Sequence, residues 1–108
     1  MPINSKVKGK RGEAEVAHIL QEHGYTNARR GVQYKGGPDS PDVIGIEGVH
    51  IEVKRVEKLN LTDAYAQSKR DADPSEIPIV VHRKSREPWM VTMSFENFLR
   101  IWNGNDKT

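Results

Sequence analysis

A chain of 108 residues without cysteine suits one domain with a modest core, and it excludes disulfides, thiolate metal sites and a cysteine nucleophile. Its net charge of +2 is unevenly spread: Lys6, Lys8, Lys10 and Arg11 crowd the start, Arg29, Arg30 and Lys35 follow, and Lys69 with Arg70, then Arg83, Lys84 and Arg86, come later. No apolar run approaches the roughly 20 residues of a membrane span, and "MPINSKVKGKRG" lacks the apolar centre of a signal peptide, so the expectation is a cytoplasmic protein without a membrane partner.

Residues 1–8 read as a basic N-terminal arm and 103–108 as a tail, around one domain spanning 1–108. From about Lys10 to His23, Val16, Ile19 and Leu20 recur at helical spacing, and Gly24 is the stop signal. A short strand is expected around Asn27 to Val32, then a loop, "QYKGGPDSP", which suits a flap beside a site. Asp42 to Ile46 and Val49 to Val56 read as strands joined at Glu47 and Gly48 by a tight hairpin.

A second helix is predicted from Thr62, as N-cap with Asp63 in the first turn, to about Asp73, where Pro74 closes it. "IPIVVH" has the continuous apolar character of a strand covered on both faces, and "PWMVTM" follows as another strand. Ser94 can cap a last helix, Phe95 to Trp102, whose Phe98, Leu99 and Trp102 are expected to close the core. The order helix, three strands, helix, two strands, helix predicts a small α/β sandwich around a central mixed sheet of about five strands.

Four charged residues fit this plan poorly as folding residues. Strand alternation sends His50, Glu52 and Lys54 to one face and Val49, Ile51 and Val53 to the other. The apolar set is the core side, so the polar set is expected outward or in a cleft. At about 100° per residue, Glu13 lies in line with Val16, Ala17 and Leu20, an acid at the core-facing edge of the first helix. Asp42 opens the strand before.

Metal-assisted phosphodiester hydrolysis uses such a set: carboxylates bind a hard cation such as Mg²⁺, and a positioned cation stabilises charge in the transition state. Asp42 and Glu52 are the candidate ligands, Glu13 a further ligand or supporting acid, and Lys54 the electrostatic stabiliser. The hairpin constrains this reading. A strict two-residue loop at Glu47 and Gly48 puts Asp42 opposite Val53 and away from Glu52. A shared site therefore requires a bulge, an odd loop length, or Asp42 at a splayed strand end.

Pro41 and Asp42, nine intervening residues, then Glu52 to Lys54 resembles the PD-(D/E)xK nuclease signature. "KGKRGEAEVAHILQEHGY", Lys8 to Tyr25, is similar to the opening of archaeal-type Holliday junction resolvases, which also occur in phages, with Lys8, Gly9, Glu13, Gly24 and Tyr25 at the matching positions. The resemblance implies a restriction-endonuclease-like fold and a homodimeric, Mg²⁺-dependent endonuclease, with Mn²⁺ able to substitute, that resolves four-way DNA junctions by paired nicks. It carries the catalytic roles to Glu13, Asp42, Glu52 and Lys54, with Ser40 as the loop serine and Gln67 as the polar residue on the helix after the motif. Lys8, Lys10, Arg11, Arg29, Arg30, Lys35, Arg55, Lys69 and Arg70 are the candidate DNA contacts.

Two other readings stay open: a nuclease of the same fold acting on ends, flaps or specific sites, and an inactive DNA-binding module. His18, His23, His50 and His82 lack zinc-ligand spacing, and His50 is expected to be a satisfied surface residue. Trp89 and Trp102 are expected as core or dimer contacts. The absence of a Gly-rich phosphate loop followed by Lys-Ser or Lys-Thr argues against a nucleotide cofactor.

Overall fold

The computed structural model describes residues 5–31 and 41–104. They form α1 (Ser5–Glu22), β1 (Arg29–Arg30), β2 (Val43–Ile44), β3 (Val49–Arg55), α2 (Leu61–Asp71), β4 (Ile77–Arg83), β5 (Met90–Thr92) and α3 (Phe95–Gly104). This is the expected α/β order around a mixed five-stranded sheet, with the strands side by side in chain order. All neighbours are antiparallel except β3 and β4. Parallel strands need a long crossover rather than a turn, and α2 supplies it.

The strand period of two sorts β3 and β4 between two covered faces. On one face Val43, Ile51, Val53 and Ile79 pack with Val16 and Ala17 of α1, each aliphatic side chain contributing about 1.5–3 kcal/mol by burial. On the other face, Val80 lies beneath α2 with His50 and Glu52, and α2 buries only Ala64 and Ser68 against the sheet. Those small residues let the helix approach closely. The Ser68 hydroxyl reaches the carbonyls of Ile79 at 3.0 Å and His50 at 3.3 Å.

Several boundaries differ from the sequence expectations. Helix α1 starts at Ser5 rather than Lys10, so residues 5–8 of the expected arm are helical. The first strand shrinks to Arg29–Arg30. Asn60, not Thr62, caps α2, its Oδ1 accepting from the Asp63 amide at 3.1 Å, and the helix ends at Asp71 before Ala72 rather than reaching Asp73. Ser94 does cap α3, accepting from the Asn97 amide at 3.0 Å.

The larger departure is α3, which does not close the core. None of its residues is buried, and Phe95 and Trp102 are 73% and 71% exposed. Phe95, Phe98 and Trp102 instead stack on one another along the helix, with ring centroids 6.4 and 5.7 Å apart. Trp89 does pack on the core as expected. No helix among the described residues is long and apolar enough to cross a membrane.

Candidate metal and nuclease site

The hairpin between β2 and β3 decides whether two of the acids meet. Val43 pairs with Ile51, one step from the register of a two-residue loop. Asp42 lies one residue before that pair, outside the strand, with its carboxyl near enough to Glu52 for their charges to interact. The tight Glu47–Gly48 hairpin is thus replaced by a longer connection, Gly45 to Gly48, in which both glycines have positive φ, +101° and +86°. A side chain at Gly45 would also collide with the Asn27 carbonyl. Of the three ways the acids could share a site, this is the odd loop length, with seven residues between the paired Val43 and Ile51 and Asp42 just outside the strand.

Backbone contacts fix Asp42. Its amide donates to the Ile51 carbonyl at 2.8 Å, its Oδ2 accepts from the Val53 amide at 2.8 Å, and its carbonyl accepts from the Gly31 amide at 3.0 Å. Gly31 permits the last contact, because a Cβ there would strike the Pro41 carbonyl. Burial and the charge of Glu52 push the Asp42 carboxyl up to about 7, with Glu13 adding to the repulsion and the Val53 amide opposing it. Glu52 is 3% exposed.

Buried like charges without an internal cation are costly, so the residues present fit a divalent metal held by Asp42 and Glu52. Glu13, on the core-facing edge of α1 as expected, is close enough to act on Asp42, and the Arg30 Nε donates to its Oε1 at 3.1 Å. Lys54 follows two residues after Glu52 on the same strand face. It is half-buried, and its ammonium makes no hydrogen bond or ion pair with another described residue. Gln67 is half-buried on α2 beside Ser68. Ser40, Lys35 and most of the predicted flap lie outside the described residues.

His50 is the residue most differently placed from expectation. It is 1% exposed, not on the surface, because α2 covers the polar face of β3. Its Nε2 donates to Glu52 Oε1 at 3.0 Å, and its Nδ1 lies 3.8 Å from Glu76 Oε1. Ligand-type atoms of His50, Glu52 and Asp71 all fall within 4.8 Å of one another. Burial opposes charging of His50, but the Glu52 hydrogen bond and the charges of Glu52, Glu76 and Asp71 outweigh it and raise its pKa. Alternation alone signals the His50–Glu52 pairing. Asp71 and Glu76 join only through the β3–α2–β4 crossover, which no local pattern reveals.

The expected DNA contacts separate by environment. Lys10, Arg11, Arg29, Lys69 and Arg70 are exposed. Lys8 is engaged, its Nζ 3.1 Å from Glu57 Oε2, an atom that also accepts from the Ser85 amide at 2.9 Å. Hydrogen bonding from Ser85, then Lys8, lowers the Glu57 carboxyl to about 2. Arg30 is committed to Glu13, and Arg55 is half-buried, with its Nε lacking a hydrogen-bond partner among the described residues. No protein-family model, no curated protein and no solved structure matches the chain.

Proposed function

We propose that this protein is a divalent-metal-dependent DNA endonuclease acting on branched DNA, in the manner of the Holliday junction resolvases that its motifs resemble. The observation that carries the reading is the Asp42 carboxylate held at 2.8 Å on the amide of Val53, beside Glu52, with Glu13 near Asp42 and Lys54 two residues on. Asp42 feels the charges of both Glu52 and Glu13, a grouping of acids that a fold alone does not need.

Asp42 and Glu52 would hold Mg²⁺ or Mn²⁺, with Glu13 as a supporting acid. When bound, the cation polarises the phosphate and lowers the pKa of a coordinated water. The chain supplies the rest. The Val53 amide keeps Asp42 Oδ2 in place. Arg30 orients Glu13. The Lys54 ammonium, unclaimed by other described residues, is available to stabilise charge developing on the phosphate. Lys10, Arg11, Arg29, Lys69 and Arg70, all exposed, would supply the contacts to the DNA backbone.

Paired nicks require two such sites, whereas the chain carries one, so the reading includes a homodimer. The apolar stripe of α3 favours it. Phe95, Phe98, Leu99, Ile101 and Trp102 are all exposed along this one helix, an apolar surface that a second copy would cover.

The test is cleavage of an immobile four-way junction and of linear duplex of the same sequences, with Mg²⁺, by the native protein and Asp42→Asn. Symmetric nicks confined to the junction, and lost in the variant, are expected. Equal cutting of duplex would make this a nuclease of broader substrate. Tight binding without metal-dependent cutting would leave only a DNA-binding module.

A further inference from the structure

Glu52 has a neighbour on each side. The Asp42 carboxylate, held at 2.8 Å on the amide of Val53, lies beside it, and His50 lies two residues back on the same strand face, its Nε2 3.0 Å from Glu52 Oε1. Both His50 and Glu52 are at least nine-tenths buried. The ring is bounded by Asp71 of α2 and by Glu76, whose Oε1 is itself held by the Asp73 amide at 2.9 Å. The Ser68 hydroxyl reaches the carbonyl of His50 from α2. An imidazole enclosed in this way has little rotational freedom, and the oxygen it holds is fixed with it.

We infer that His50 is a positioning residue for the metal site: its Nε2–H occupies one oxygen of Glu52 and so directs the other oxygen to the cation shared with Asp42. The inference rests on the reading of Asp42 and Glu52 as metal ligands. Its physical basis is that partners of a ligating side chain fix its orientation and tune its affinity for the metal, with losses of about 10–100-fold in affinity or activity when they are removed. A carboxylate left to rotate toward Asp42 adds to the repulsion there. One pinned to His50 keeps a single oxygen free.

The experiment compares the native protein with His50→Leu and His50→Gln, titrating each with Ca²⁺ and with Mg²⁺ by calorimetry, without DNA. Circular dichroism and the metal-free melting temperature report folding. Leu keeps bulk and removes the donor, whereas Gln carries an amide N–H near the position of Nε2. The expected result is a metal dissociation constant at least tenfold higher in His50→Leu and close to native in His50→Gln, a rescue that a merely structural role would not produce.

Should His50→Leu fail to fold, His50→Asn replaces it, because its shorter amide cannot reach Glu52; it is expected to bind metal as weakly. Native affinity in the folded donor-less variant would overturn the inference and leave the acid pair standing. Equal loss in the Gln variant would also overturn it, by making the ring nitrogen a ligand. Absence of metal binding by the native protein would overturn the metal reading itself, and this inference with it.

Discussion

The Asp42 carboxylate is brought beside Glu52, its Oδ2 accepting from the Val53 amide at 2.8 Å, in a register where Val43 pairs with Ile51. One step of register separates this arrangement from one in which the two carboxylates point to opposite faces of the sheet. The connection from Gly45 to Gly48 therefore sets the chemistry of the site as well as the path of the chain.

Gly45 is the sensitive point of that connection. Its φ of +101° and the Asn27 carbonyl beside it leave no room for a side chain, and a strained backbone of this kind costs about 1–3 kcal/mol. Gly45→Ala is expected to lower the unfolding free energy measured in urea by at least that much and to weaken metal binding. Unchanged stability together with native metal affinity would show that the turn does not control the register.

The metal-free protein should lose stability as pH rises through the range in which Asp42 ionises. Its folded carboxyl is raised from 3.8 to about 7, so the folded state binds the proton more tightly than the unfolded chain. That contribution is fully present below the unfolded value and is lost as pH climbs from about 4 toward 7. His50, also raised, acts in the same sense at the upper end of the range. Melting temperatures in EDTA should fall over this interval. Saturating Mg²⁺ should stabilise the protein more at the upper end than at the lower, since binding displaces the proton.

Asp42→Asn removes one charge of the pair while keeping an oxygen to accept from the Val53 amide. The variant is expected to melt several degrees higher than the native protein in EDTA near pH 8, on the order of 1–3 kcal/mol for relief of a buried like-charge pair, and to gain nothing from added Mg²⁺. Differential scanning calorimetry with and without metal gives both quantities.

Basic residues should differ in their effect on DNA affinity according to their partners. Lys69 and Arg70 are exposed at the end of α2, Arg70 with only a 3.8 Å ion pair to the neighbouring Asp71, so replacing both by Ala should weaken junction binding and reduce the salt dependence by about one unit of slope per lost phosphate contact. Lys8 is already held by Glu57 at 3.1 Å, so Lys8→Ala should change both much less. Fluorescence anisotropy over a salt series measures this directly.

The exposed stripe on α3 gives the dimer its own test. Phe95 and Trp102 are mostly exposed, so replacing both by Glu should leave the unfolding of the isolated chain within about 0.5 kcal/mol per site. Sedimentation should show the native protein as a dimer and the variant as a monomer.

How far the sequence could be read depends on how local the determinant was. The order of elements along the chain followed from period-two runs and punctuation, and Glu13 could be placed because one helical wheel put it beside Val16 and Ala17, both of which are buried. The meeting of Asp42 with Glu52 could be stated only as a condition, since the glycine conformations that set the register leave no distinct trace in composition. His50 was put on the correct face but in the wrong environment, because its burial depends on α2 packing through Ala64 and Ser68, a tertiary event. Helix α3 had the amphipathic pattern of a core helix and none of its burial, since the pattern records that an apolar face will be covered without recording by what.

The most direct test of the central claim is calorimetric titration of Mg²⁺ and Ca²⁺ into the native protein and Asp42→Asn near pH 7, in two buffers of different ionisation enthalpy. The account predicts binding at one site with release of a fraction of a proton by the native protein, and neither in the variant. Equal binding by the two proteins, or no binding at millimolar metal by the native protein, would contradict it.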